Sequence, residues 1–140
     1  MVLPDVNVLV HAHREDAPLH ETCRAWLAEV IASPQAFGIS DLVLSGFLRV
    51  VTHPRVFAEP TPLGQAQAFV AAVRGADNCV LTNPGPRHWG IFQGLCQAAG
   101  ARGNLVPDAY LAAVAVESGS EWITTDRDFS RFPGLRWRHP

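Results

Sequence analysis

Three aspartates occupy positions at which a carboxylate could do chemistry. Asp5 follows a short apolar segment, and Asp126 follows a segment rich in β-branched residues, so each is predicted to leave the end of a buried strand. Asp108 comes directly after Pro107 in the first turn of an Ala-rich helix, where the helix dipole favours an anion. Helix capping alone is the alternative explanation for Asp5 and Asp108.

If these carboxylates meet at one place, they repel one another, and a cation between them makes their proximity tolerable. Hard oxygen ligands of this kind favour Mg²⁺, or Mn²⁺, over softer metals. The chemistry that follows is phosphoryl chemistry, because such a metal polarises a phosphate oxygen and lowers the pKa of an attacking water. We therefore expect Asp5, Asp108 and Asp126 to form a catalytic metal site.

The elements that must position these acids are predicted from the hydrophobic pattern. Helices are expected near residues 7–14, 19–32, 42–52, 63–74, 87–99 and from 107 onward, with strands near 2–4, 36–40, 78–82, 122–125 and 135–138. This alternation predicts one α/β domain over residues 1–140, with a mainly parallel sheet of four to five strands and helices on both faces. The carboxyl ends of parallel strands share one edge, so Asp5, Ser40 and Asp126 should lie along it, and the helix that begins near 107 can bring Asp108 there.

The composition excludes several classes of protein. All 11 basic residues are arginines, so a P-loop and the aspartyl-phosphate domains, which expect a lysine near the phosphate, are disfavoured. A net charge of −2 means that any nucleic-acid binding must come from a local patch. The three cysteines form no C-x-x-C pair, which argues against a zinc–thiolate site and favours a reducing compartment. We expect a cytoplasmic protein that does not enter a membrane, since no signal peptide or long apolar segment is present.

Four segments together resemble the PIN-domain family, and in particular the VapC toxins of bacterial type II toxin–antitoxin pairs. They are Leu3–Leu9, Leu44–Val50, Val106–Ala109 and Thr124–Phe129, in the order and spacing of that family. The resemblance implies a Mg²⁺-dependent endoribonuclease that forms a homodimer and is silenced by a VapB-type antitoxin. It also implies roles for individual residues. The metal-site acids would be Asp5, Asp108 and Asp126, with Asp128 as a fourth, and the polar residues that support them would be Asn7, Ser40 and Thr125.

The chain departs from the family pattern in its third helix. Family members usually carry a glutamate near the middle of this helix, where this sequence has Ser45 and Gly46. A missing acid lowers the negative charge of the site and should weaken its affinity for a metal, unless a water or Asp128 fills the vacant coordination position. The alternative function is therefore a catalytically weakened PIN domain that binds RNA or its antitoxin without cleaving.

Overall fold

The computed structural model describes all 140 residues, and strands alternate with helices along the whole chain. The strands are β1 (Val2–Pro4), β2 (Phe37–Ile39), β3 (Cys79–Leu81), β4 (Glu121–Ile123) and β5 (Trp137–Arg138). The helices are α1 (Val6–His13), α2 (His20–Ala32), α3 (Asp41–Val51), α4 (Leu63–Arg74), α5 (His88–Ala99) and α6 (Leu105–Ser118), with a 3₁₀ helix at Arg127–Arg131. These bounds lie within about two residues of the predicted ones, which is the usual uncertainty at helix ends.

All five strands are parallel, as predicted, and they form two hydrogen-bonded groups. One group has the order β1-β4-β5, and the other pairs β2 with β3. The two groups lie side by side through β1 and β2, where Gly38 lies so close to Leu3 that a Cβ at Gly38 would overlap the leucine side chain. The α/β fold class is therefore confirmed.

The burial of β4 shows that both faces of the sheet are covered. Trp122 and Ile123 point to opposite faces because side chains alternate along a strand, and both are completely buried. Strands buried on both faces are typical of parallel sheets that carry helices on each side. None of the helices combines the length and the apolar character that crossing a bilayer requires.

Helix α3 is less completely buried than its apolar sequence suggests. Val43, Phe47 and Val51 lie in the core. Leu42 and Arg49 are exposed on another face of the same helix. One side of α3 therefore packs in the core, and another side faces an open cleft at the carboxyl ends of the strands.

Candidate functional site

Asp5 is the most buried of the predicted site acids, with 4% of its surface exposed. It follows β1, and its backbone N–H donates to the carbonyl of Ile123 in the neighbouring strand at 2.8 Å. Its side chain caps α1, because Oδ1 accepts from the N–H of Val6 at 2.6 Å. The capping role proposed as the alternative for Asp5 is real, and it leaves Oδ2 directed to other partners.

Two polar side chains hold the second oxygen of Asp5. Asn7 Nδ2 and Thr124 Oγ1 each donate to Asp5 Oδ2 at 2.7 Å. Asn7 also donates to Thr124 Oγ1 at 3.1 Å, and its own Oδ1 accepts from the N–H of Thr125 at 3.1 Å. A buried carboxylate needs such partners, because leaving it without hydrogen bonds in an apolar environment costs several kcal/mol.

Asp126 is tied to the same network from the other strand. Its N–H donates to Thr124 Oγ1 at 3.0 Å, and its Oδ1 accepts from the N–H of Asp128 at 2.8 Å. Asp126 thus caps the short 3₁₀ helix as Asp5 caps α1. The Asp128 side chain is exposed and lies outside the cleft.

Asp108 is contributed by a third element, and it lies in the first turn of α6. Asp5, Asp108 and Asp126 all line one open cleft of about 520 Å³. Unlike the other two acids, Asp108 accepts no hydrogen bond within the protein, although it is half-buried. The structure therefore brings together three acids that are separated by most of the chain.

Burial and the charges of neighbouring acids raise the pKa of two of the acids. Burial raises the pKa of Asp5 to about 6, and the charges of Asp108 and Asp126 add to this effect, whereas hydrogen bonds from Thr124 and Val6 oppose it. Burial also raises the pKa of Asp108 to about 6, together with the charges of Asp126 and Asp128. Neighbouring carboxylates thus add to the effect of burial on Asp5 and Asp108, and a bound cation would oppose their contribution.

The donor set suits a hydrated divalent cation. No three Asp, Glu, His or Cys side chains form a complete metal-binding cluster by themselves. Mg²⁺ does not require one, because it usually keeps several waters and binds through one or two carboxylates. Asp108 has both oxygens free of protein donors, and Asp126 Oδ2 accepts no protein hydrogen bond.

Two of the predicted supporting residues have other contacts. Ser40 is not brought to the acids: its hydroxyl donates to Asn83 Oδ1 at 3.2 Å and accepts from the N–H of Leu42, so it caps α3. Thr125 contributes only its backbone N–H. The supporting hydroxyl is that of Thr124, which the sequence analysis missed. The parallel register pairs Pro4 with Ile123, and it therefore places the following residues, Asp5 and Thr124, side by side.

Known proteins resemble this chain along its whole length. A family model described as PIN domain matches residues 2–135. The chain is similar to VapC ribonuclease Mb2897 of Mycobacterium bovis, with 45% identity over 140 residues that cover 100% of this chain and 95% of the relative. It is similar to Ribonuclease VapC25 of Mycobacterium tuberculosis, with 44% identity over 100% of this chain and 99% of the relative. The chain belongs to the VapC ribonucleases of the PIN domain family.

Solved structures confirm the fold of this PIN domain. The toxin VapC20 of Mycobacterium tuberculosis, described as cleaving the sarcin–ricin loop, gives a TM-score of 0.69 at 18% identity over 97% of this chain and 99% of that one. VapBC2 from Rickettsia felis, bound to a DNA fragment from its promoter, gives a TM-score of 0.70 at 17% identity over 100% of this chain and 99% of that one. At these identities the likeness establishes the shared fold.

The third helix contributes no acid to the cleft of this PIN domain. Gly46 lines the cleft where the family pattern predicts a glutamate nearby. A Cβ at Gly46 would lie 2.8 Å from Cγ2 of Val6, so α1 and α3 approach too closely for a larger residue without a shift of Val6. The cleft therefore has an acidic wall at β1, β4 and α6 and a second wall at α3 without a carboxylate.

The two histidines of α1 lie on different sides of that helix, because residues two apart on a helix do not face each other. His11 lines the cleft, and its Nδ1 accepts from the N–H of Leu19 at 3.3 Å. His13 packs against the rings of Phe47 and Phe69. The two rings therefore cannot act as a pair of ligands for one metal.

Proposed function

We propose that this PIN domain is a Mg²⁺-dependent endoribonuclease, with Mn²⁺ as a substitute, that acts as the toxin of a VapBC pair. The proposal rests on one observation: the side chains of Asp5, Asp108 and Asp126 line the same cleft. The 45% identity to a VapC ribonuclease supports RNA as the substrate. The reaction would be hydrolysis of a phosphodiester bond by water.

The proposed metal site comprises Asp5, Asp108 and Asp126. Asp108 and Asp126 have oxygens that accept no protein hydrogen bond and would hold the cation, Asp5 adds its charge beside them, and Asp128 adds negative charge from outside the cleft. When bound, the cation supplies positive charge that polarises a phosphate oxygen and lowers the pKa of water.

The chain's own residues prepare the site for this reaction. Asn7 and Thr124 fix the orientation of Asp5, so no reorganisation is needed when substrate binds. Asp108 has free oxygens that can accept a hydrogen bond from the attacking water and orient it. Val6, Val10 and Phe129 line the same cleft and limit the access of bulk water, which strengthens electrostatic interactions there.

The proposal includes three further properties. A VapB-type antitoxin would silence the enzyme, and solved toxin–antitoxin assemblies of the same fold support this partner. We also propose that the protein forms a homodimer, as the family resemblance implies. We also place the activity in the cytoplasm, where RNA is available.

A second candidate function is binding of RNA or antitoxin without cleavage. Gly46 favours it, because the α3 wall lacks the acid that the family pattern predicts, and fewer acids bind a divalent cation less tightly.

One experiment separates the two functions. Purified protein is incubated with RNA in Mg²⁺, with and without EDTA, and compared with Asp108→Asn and with Asp77→Asn, a control that removes an exposed acid outside the cleft. We expect cleavage that EDTA abolishes, that Asp108→Asn lowers at least about a hundredfold, and that Asp77→Asn leaves unchanged. Cleavage that survives both EDTA and Asp108→Asn contradicts the metal proposal. RNA binding by the wild type without cut products supports the second candidate.

A further inference from the structure

The wall of the cleft opposite the acids carries one cationic side chain. Leu42, Gly46, Arg49 and Val50 all line the cleft. Their spacing of three, four and eight residues places them on one face of α3. Arg49 therefore lies about one helical turn beyond Gly46 and lines the same cleft as the acids.

Most of the arginines already have partners within the protein. Side-chain hydrogen bonds are made by Arg14, Arg24, Arg74, Arg87, Arg136 and Arg138. The arginines whose side chains make none are Arg49, Arg55, Arg102, Arg127 and Arg131. Of these, Arg49 alone lines the acidic cleft. Its guanidinium is thus the one uncommitted cation in that space.

Arg49 is not engaged in neutralising the acids. It forms no ion pair with Asp5, Asp108 or Asp126. The pKa values of Asp5 and Asp108 are raised by burial and by other carboxylates, and Arg49 is not among the charges that act on them. Because Arg49 is exposed and pairs with none of the acids, its guanidinium is free to bind an anion that enters the cleft.

We propose that Arg49 binds a backbone phosphate of the RNA strand beside the phosphate that is cleaved. The proposal rests on the nuclease function above. A planar guanidinium can donate two parallel hydrogen bonds to phosphate oxygens, which positions a strand without reading its sequence. The α3 wall thus contacts substrate, and the opposite wall carries the acids.

The test compares Arg49→Gln and Arg49→Lys with Arg24→Gln. The control removes another exposed arginine, which lies outside the cleft on α2. The probe is a fluorescein-labelled single-stranded RNA of mixed sequence. Binding is measured by anisotropy over a range of KCl concentrations in the Asp108→Asn background, and KM and kcat are measured in the otherwise wild-type protein.

We expect Arg49→Gln to raise Kd and KM about tenfold, as for loss of a charge-assisted hydrogen bond, with kcat within about twofold. The slope of log Kd on log salt should fall by about 0.7 for a single strand. Arg49→Lys should recover part of the binding, since it keeps the charge but not the bidentate geometry. Arg24→Gln should match the wild type.

Other results would overturn the inference. If Arg49→Gln binds RNA as Arg24→Gln does while the wild type cleaves, the phosphate contact is wrong and the nuclease proposal stands. A loss confined to kcat, or a loss of antitoxin binding with RNA binding unchanged, also overturns it. Arg49-dependent RNA binding without cleavage by the wild type supports the contact and contradicts the nuclease proposal.

Discussion

At the scale of single residues, Thr124 is the centre of the hydrogen-bond network. Its hydroxyl donates to Asp5 and accepts from Asn7 and from the N–H of Asp126. Both strand-end acids are therefore held through one oxygen atom. A residue of similar shape without that oxygen would leave several buried polar groups unpaired.

We predict that Thr124→Val destabilises the protein by about 2 kcal/mol, the usual effect of losing a hydrogen bond to a charged group. Because the Thr124 hydrogen bond lowers the pKa of Asp5, its loss should raise that pKa and move the acidic limb of the pH–rate profile to higher pH. Urea unfolding and initial rates over a pH series measure the two effects. Thr124→Ser should restore both, and an acidic limb unmoved in Thr124→Val would show that the hydroxyl does not govern Asp5.

Asp108 provides a pH-dependent prediction about stability. Its pKa in the folded protein is about 6, against an ordinary value of 3.8, so folding favours the protonated form. Its contribution to stability is full below the ordinary pKa and is lost as pH rises through about 6.

Asp108→Asn should therefore stabilise the protein in EDTA above about pH 7 by about 1 kcal/mol, a value reduced for solvent screening of a half-exposed group. This corresponds to roughly 3 °C in Tm. The gain should shrink as pH falls through 6 towards 4. Thermal unfolding at several pH values measures it, and a gain independent of pH would contradict the assigned cause.

At the scale of elements, the contact between α1 and α3 explains how the cleft can lack an acid at its third helix. Gly46 packs against Val6 so closely that a side chain at position 46 requires Val6 to shift or to be smaller. A substitution at position 46 is therefore coupled to the residue at position 6.

We predict that Gly46→Glu combined with Val6→Ala raises the affinity for Mg²⁺, because an additional carboxylate increases the negative charge that faces the cation. The Mg²⁺ dependence of cleavage measures the change, and Val6→Ala alone is the matched control. Gly46→Glu alone should lower the free energy of unfolding through the overlap with Val6. Equal Mg²⁺ dependence in the double variant and in Val6→Ala would show that a residue at 46 does not reach the cation.

The helices and strands could be predicted from the sequence more completely than the contacts of the site, and the reason is physical. Helix α4 was predicted at its observed bounds, 63–74, because apolar spacing and breaking residues are local signals. Asp5, Asp108 and Asp126 were correctly expected to meet, since parallel strand ends share an edge. Thr124 was missed and Ser40 was placed among the supporting residues because side-chain partners depend on register across strands distant in the chain. The position of Arg49 in the cleft also depends on how the helices pack, and local sequence patterns do not specify helix packing.

At the scale of the whole molecule, β5 holds part of the site in place although it does not line the cleft. Trp122 and Thr124 in and after β4 donate their N–H groups to the carbonyls of Arg136 and Arg138, at 2.8 Å and 3.1 Å. The backbone of Thr124 is therefore held by a strand that has no direct contact with the cleft.

We predict that deleting residues 136–140 lowers the free energy of unfolding by about 2 kcal/mol or more and lowers cleavage as well. The deletion removes the two backbone acceptors, the side-chain hydrogen bonds of Arg136 and Arg138, and the cover of β4. Deleting residues 139–140 alone keeps both hydrogen bonds and should have little effect. Urea unfolding and cleavage rates measure the outcome. Two truncations of equal stability would mean that β5 does not hold Thr124 in place.

The hydrogen bond between Thr124 and Asp5 joins residues 119 positions apart, and this has a consequence for protein synthesis. At about 5–20 residues per second, a ribosome adds Thr124 roughly 6–24 s after Asp5. A translation product that stops before β4 carries Asp5 and Asp108 but lacks the strand that positions them. The cleft can therefore assemble only when the chain is nearly finished, and we expect interrupted products to lack the proposed cleavage activity.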